Sequence, residues 1–158
     1  MNAAEQLENS HVLAIQALDD LRNVDWDIPN ACGTWSVKDV VAHLASYEHL
    51  LLDVLHTFLG DASDAPYLSE YAKNSQAFND AEVAKRAYHT AQQVVDEYEE
   101  THAEAVSLLE QMPVEKLSEK GTMPWNKERS LNDLVASLSN HTQRHCDEII
   151  AFRKRENM

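Results

Sequence analysis

The chain has 158 residues, with 27 acidic and 13 basic side chains, a formal net charge of −14, and only three glycines and four prolines. A surface this negative repels phosphate backbones and anionic lipid, so we expect neither nucleic acid nor a membrane surface as a partner. Because sandwiches and barrels need many turn residues, the composition favours a single all-α domain over residues 1–158.

Location follows from the cysteines and the N-terminal sequence. Two cysteines, Cys32 and Cys146, are too few for a disulfide framework, and the first residues have neither the basic nor the apolar run of a signal peptide. The most apolar helical segment is interrupted by polar residues such as His43 and Asp53, so it does not qualify as a membrane span. We therefore expect a cytoplasmic protein with reduced thiols.

The first two helices are predicted from their apolar stripes and caps. The first extends from Ala3 to Arg22 and is followed by a loop at 25–33. The second has the clearest start, because Ser36 is followed three residues later by Asp39 in an acidic form of the capping box. Gly60 is expected to end it.

The third helix is predicted to begin after Asn79, which acts as its cap, and to extend to Met112, where Pro113 terminates it. The connection before it, 61–79, has room for a short helix from about Ser69 to Phe78. These patterns predict one long uninterrupted helix in the second half of the chain.

The fourth helix is predicted from Leu131 to Arg155, because Ser130 and Asp133 repeat the capping pattern after the loop at 113–129. Four helices of this length predict a four-helix bundle. Both later connections are long enough to cross the end of the bundle, so a crossover is allowed.

Two histidines interrupt the apolar stripe of the fourth helix. His141 and His145 are four residues apart and therefore lie on one face. Burying imidazoles without partners is costly, so they either form hydrogen bonds in the core or bind a metal, for which neutral imidazole is a common ligand. His43, on the buried face of the second helix, is the best candidate for a third ligand. Three protein ligands would leave coordination positions open for water or substrate.

Three neighbouring residues are candidates for supporting roles. Tyr47, one turn after His43, could bond a metal-bound water or substrate, and an ordinary buried tyrosine fits the same pattern. Glu148, three residues after His145, could orient that imidazole or be a solvated carboxylate. Cys146 points about 100° away from His145, which favours a packed core thiol.

The remaining aromatic, histidine and acidic residues are predicted to lie at the periphery. Trp35 and Trp125 precede the caps of the second and fourth helices and are expected to pack their loops on the bundle or to wall a pocket at its end. The other histidines are predicted at the surface or rim, and the acidic run at 96–100 as a solvated helix face: His11, His49, His56, His89 and His102, with Asp96, Glu97, Glu99 and Glu100.

Two segments resemble a known family. TWSVKDVVAHL at 34–44 resembles the start of the second helix in the DinB/YfiT-like superfamily, and HTQRH at 141–145 resembles its closing HxxxH motif. The resemblance implies a four-helix bundle with an up-down-down-up chain path and a divalent metal, zinc or nickel, held by His43, His141 and His145. The chain departs from the family pattern in having Cys146 beside the last histidine and Asp-Glu-Ile at 147–149 where a Gly-Gln pair is expected.

Relatives with known chemistry include thiol-dependent transferases and isomerases that use mycothiol or bacillithiol, and a branch that confers resistance to a reactive natural product. The resemblance therefore implies a metal-dependent S-transferase, isomerase or hydrolase acting on a small electrophilic molecule, with a low-molecular-weight thiol as candidate cofactor and a homodimer as the assembly. The alternative is a non-catalytic bundle that binds or sequesters a small molecule.

Overall fold

The computed structural model describes residues 1–60, 64–120 and 128–158, and this part of the chain is entirely helical apart from turns and one isolated bridge between Cys32 and Trp35. The all-α prediction is confirmed. The helices are α1 Ala3–Ala17, α2 Val37–Leu59, α3 Pro66–Lys73, α4 Ser75–Lys85, α5 Ala91–Gln111, α6 Val114–Ser118 and α7 Leu131–Arg155, with a 3-10 turn at Asn23–Asp25. None of the described helices combines the length and apolar character that crossing a membrane requires.

The four long helices, α1, α2, α5 and α7, pack as two pairs, α1 against α7 and α2 against α5. Two apolar clusters fill the space between the pairs. One contains Ala14, Val41, Tyr98, Ile149 and Phe152, and the other contains Leu7, Leu55, Leu109 and Leu131. Each large apolar side chain buried in this way contributes about 1.5–3 kcal/mol to the hydrophobic stabilisation of the bundle.

The helix ends predicted from capping boxes are confirmed for α2 and α7. The side-chain oxygens of Ser36 and Ser130 each accept a hydrogen bond from the backbone N–H three residues on, and the serine backbone N–H donates to the carboxylate of that same residue. Gly60 ends α2 with φ of +76°, a left-handed conformation that glycine adopts without strain. The first helix is shorter than predicted, because it ends at Ala17 and Asp20 has a positive φ of 60°.

The prediction of one uninterrupted third helix is wrong. The predicted span is divided between the second half of α4 and α5, which are separated by a turn at 86–90, and α4 begins within the connection where a short helix was predicted. Asn74 caps α4, whereas Asn79 lies inside it, and Thr90 caps α5 in a box with Gln93. No glycine or proline marks the break.

Buried ionic contacts explain why the helix breaks there. The guanidinium of Arg86 is 2% exposed and donates to the Glu97 carboxylate at 2.7 and 2.8 Å and to that of Glu82 at 3.0 Å. The Nζ atom of Lys38 donates to the carbonyls of Ala87 and His89, which the break leaves without helical partners. Glu97 therefore does not belong to a solvated helix face as predicted, although the other acidic residues of that run are exposed.

Part of the predicted loops lies outside the described residues. This applies to positions 61–63 of the first long connection and to 121–127 of the second, including Trp125.

Candidate metal centre

The three predicted histidines meet between α2 and α7. His43 and His145 are 3% and 4% exposed, and His141 is partly buried. The Nε2 atom of His141 lies 3.0 Å from Nε2 of His43 and 3.1 Å from Nε2 of His145. Two imidazoles bound to one zinc ion at about 2.0–2.1 Å have nitrogens roughly 3–3.4 Å apart, so the donor set fits a single first-row ion.

The tautomers of these histidines also favour a shared cation. Nδ1 of His145 donates to Oε2 of Glu148 at 3.0 Å, which leaves a lone pair on its Nε2. If Nε2 of His141 also carries a lone pair, the two repel each other at 3.1 Å. If it carries a proton, that proton lies between the Nε2 atoms of His43 and His145 and can be donated well to only one of them. No arrangement of neutral imidazoles therefore satisfies all three Nε2 atoms, whereas one cation accepts all three Nε2 lone pairs.

Burial keeps the three rings in the form that binds metal. Burial, with a smaller contribution from the neighbouring imidazoles, lowers the pKa of His43 and of His141 to about 3. Burial lowers the pKa of His145 as well, although the Glu148 carboxylate opposes this. All three rings are therefore neutral near pH 7, as ligation requires.

The sequence left Glu148 as either a residue that orients His145 or a solvated carboxylate. In the structure its Oε2 lies 3.0 Å from Nδ1 of His145 and about a third of its side chain is exposed. The Cys32 thiol lies beside the Glu148 carboxylate, and the ligand atoms of Cys32, His145 and Glu148 all lie within 4.8 Å of one another. Burial, followed by the Glu148 carboxylate, raises the pKa of Cys32 to about 11, so the thiol is protonated. Sequence reasoning missed Cys32 because it lies in a loop without periodicity, whereas Cys146 is 3% exposed and packs in the core as predicted.

Tyr47 forms one wall of the centre. Its ring stacks on His141 with centroids 4.7 Å apart and an interplanar angle of 17°. The ring centroids of Trp35 and His43 are 5.0 Å apart. The Tyr47 hydroxyl donates to Oδ1 of Asn79 at 3.0 Å, and burial raises its pKa, so it is neutral. Its predicted contact with a metal-bound water or substrate stays a prediction.

An apolar cavity of about 50 Å³ adjoins the centre. Tyr47 and Tyr71 line it together with aliphatic residues of α2 and α7, including Leu134 and Leu138. Tyr47 therefore borders both the histidines and this cavity. A wider groove of about 380 Å³ lies between α1 and α7 and includes Cys146, which is on a different side of α7 from His141.

The prediction that the other histidines lie at the surface or rim is wrong for His102, which is 7% exposed. Its ring stacks on that of His11 with centroids 3.8 Å apart and an interplanar angle of 5°. Nδ1 of His102 lies 3.8 Å from Oε1 of Glu48, and the buried hydroxyl of Tyr98 nearby has no hydrogen-bond partner within the described part of the chain. Since a ligated ion lies close to the plane of each imidazole, two parallel stacked rings cannot share one. This group is a polar cluster in the core and not a second metal centre.

The other peripheral histidines differ in their environments. His89 is exposed and His56 is partly buried, whereas His49 contacts Glu97 at 2.8 Å and stacks on Tyr67. His49 therefore belongs to the ionic network around the break between α4 and α5.

Comparison with known proteins identifies the family and the fold. The sequence model of the DinB superfamily matches residues 6–149. A crystal structure of a protein from Streptococcus pneumoniae has a similar fold, with a TM-score of 0.81 and 11% sequence identity over 98% of this chain and 91% of that one. No curated protein matches the sequence significantly.

Proposed function

This chain belongs to the DinB superfamily, and we propose that it is a metal-dependent enzyme in which His43, His141 and His145 hold one divalent ion, zinc or nickel. The observation that carries the proposal is the convergence of three neutral, buried Nε2 atoms, with 3.0 and 3.1 Å between His141 and its two neighbours. Three imidazole ligands suit both of these first-row ions.

The reaction that fits best is transfer or isomerisation dependent on a low-molecular-weight thiol, or hydrolysis, with a small electrophilic molecule as substrate. A bound divalent ion supplies Lewis acidity and favours the deprotonated form of a thiol or water. The protein contributes the fixed geometry. Glu148 orients His145, Cys32 lies beside Glu148, and the stacked ring of Tyr47 shields one side of His141 from water.

A non-catalytic protein that binds or sequesters a small molecule is the second candidate. The observation that favours it is that the two candidate acid–base groups beside the histidines, Tyr47 and Glu148, already have partners. The Tyr47 hydroxyl is bound to Asn79, and the Glu148 carboxylate is bound to His145. Neither is available as an acid or base without rearrangement.

We propose the up-down-down-up chain path for the bundle. One apolar cluster joins the first halves of α1 and α7 to the second halves of α2 and α5, through Leu7, Leu131, Leu55 and Leu109. The other cluster joins the opposite halves of the same helices. This arrangement supports parallel pairs, α1 with α7 and α2 with α5, running in opposite directions. On the family likeness we also propose that the protein acts as a homodimer in the cytoplasm.

Metal analysis of protein purified without an affinity tag tests the site. We expect about one equivalent of zinc or nickel in the wild type and a large loss in His43→Ala, with no loss in the matched control His89→Ala, which changes an exposed histidine. If the metal content of wild type and of His43→Ala is equal and negligible, the proposal is refuted.

Assays with thiols and electrophilic acceptors, run with zinc, nickel and manganese, separate the two candidates. Turnover that disappears in His145→Ala supports the enzyme. Metal-dependent ligand binding without turnover across the panel supports the binding protein.

A further inference from the structure

Arg144 is an unpaired cation beside the three histidines. It lies on α7, three residues after His141 and one before His145, and it is exposed. Its guanidinium forms no hydrogen bond or ion pair with any of the described residues. Glu148, one turn further on, is bound to His145 instead.

The charge of Arg144 acts on the centre itself. Burial has the largest effect on the pKa of each of the three histidines, and the positive charge of Arg144 lowers all three further. In a chain with a net charge of −14, most of the surface repels anions. Arg144 and a divalent ion would create a local positive region within this negative surface.

The apolar cavity lies on the other side of the histidines along the same helix. Leu134 and Leu138 of its wall precede His141, whereas Arg144 follows it. The six residues from Leu138 to Arg144 span about 9 Å of helix axis at 1.5 Å per residue. Measured along the axis of α7, an apolar pocket, the metal ligands and Arg144 therefore follow one another within the length of a small molecule. Arg144 lies about 60° around the helix from His141, a displacement that its long side chain can span.

We propose that the substrate of this centre is a small carboxylate with a short apolar side chain: the carboxylate binds Arg144, the reacting group lies at the histidines, and the apolar group enters the cavity beside Tyr47. The inference rests on the proposed metal site. It adds a substrate-binding residue, Arg144, and a substrate class. Arginine suits this role because its planar guanidinium can bind both carboxylate oxygens.

Binding of a metal-anchored probe tests the inference without requiring turnover. The probe is 2-mercapto-4-methylpentanoate, titrated into the cobalt(II)-loaded protein and followed by thiolate-to-cobalt absorption. Its thiol anchors it at the ion, its carboxylate is placed for Arg144, and its isobutyl group for the cavity. The methyl ester removes the charge, and 2-mercaptopropanoate shortens the apolar group.

The expected results concern ratios of dissociation constants. The acid should bind wild type roughly tenfold or more tightly than the ester, and Arg144→Gln should remove most of this difference while Arg144→Lys keeps part of it. Lys154→Gln, a matched loss of charge on the same helix, should leave the ratio unchanged. The isobutyl acid should bind roughly tenfold more tightly than 2-mercaptopropanoate, and Leu138→Phe, which narrows the cavity, should reduce that advantage.

An acid-to-ester ratio that is the same in wild type and Arg144→Gln would overturn the inference, because any preference for the acid would then come from the ion alone. Equal binding of the isobutyl and methyl probes to wild type would overturn it as well. Metal content and thermal melting of each variant are measured first. Wild type that takes up no cobalt refutes the metal site itself, whereas loaded protein without these preferences refutes only the substrate class.

Discussion

Replacing Glu148 with glutamine should weaken metal binding while leaving the fold intact. Oε2 of Glu148 accepts from Nδ1 of His145 at 3.0 Å, and about a third of the Glu148 side chain is exposed, so glutamine fits without a packing change. Glutamine retains an acceptor but loses the charge that makes His145 a more basic ligand. Loss of such an outer contact typically reduces metal affinity 10- to 100-fold, and the partial exposure of Glu148 places the expected loss near tenfold.

The assay is competition for zinc between the protein and a chromophoric chelator at pH 7.5, with unfolding measured in parallel. Asp147→Asn is the matched control, since it removes the same charge from the preceding, exposed position of α7. A loss of affinity in Glu148→Gln no larger than in Asp147→Asn would show that general electrostatics, and not the contact with His145, accounts for the effect.

Three further predictions concern stability. Arg86→Ala should lower the free energy of unfolding by about 3–5 kcal/mol, because it removes the arginine that binds the Glu97 carboxylate. Lys73→Ala, which removes the exposed Lys73–Glu70 pair, should lower it by under about 1 kcal/mol. Urea denaturation compares the two variants, and equal effects would contradict the role of Arg86. Burial lowers the pKa of His11 to about 4, so the unfolded state binds more protons than the folded state between pH 6.5 and 4. Stability should therefore fall as the pH is lowered through that range. In thermal melts the melting temperature of His11→Phe should fall less steeply with pH than that of wild type, and an equal slope would refute this. Tyr47→Phe removes the hydrogen bond to Asn79, so the free energy of unfolding should fall by about 1 kcal/mol while the metal content stays the same. Tyr88→Phe, at a fully exposed tyrosine, should change neither. Equal melting temperatures of the two variants would contradict the contact.

Local sequence patterns predicted the parts of the fold that local interactions determine. The capping boxes at Ser36 and Ser130 involve residues three apart, so both helix starts could be predicted without tertiary information. The break before α5 could not, because it depends on Arg86 reaching Glu97 on the following helix and on Lys38 reaching carbonyls about fifty residues away. An unbroken helical pattern without glycine or proline gives no indication of such contacts.

The candidate site was predicted to the extent that its residues lie on helical stripes. His141 and His145 interrupt an apolar stripe, and this placed them inside. The same helical spacing indicates that His102 is buried, because it lies four residues after Tyr98 and three before Ala105, and both of these are buried. The prediction of a surface position overlooked this spacing. Cys32 has no such periodic context, since its loop brings it to Glu148 only through the tertiary fold.

The positions of the three histidines bear on how the two halves of the bundle stay together. His43 belongs to the α2–α5 pair and His141 and His145 to the α1–α7 pair, and α2 contacts α7 much less than each helix contacts its own partner. An ion held by all three would act as a further cross-link between the two pairs, in addition to the apolar clusters that they share. Ligand binding of this kind stabilises only the closed bundle, by RT ln(1 + [M]/Kd), so metal supply would set how often the halves separate. Amide exchange along the facing sides of α2 and α7 would then report the metal status of the protein.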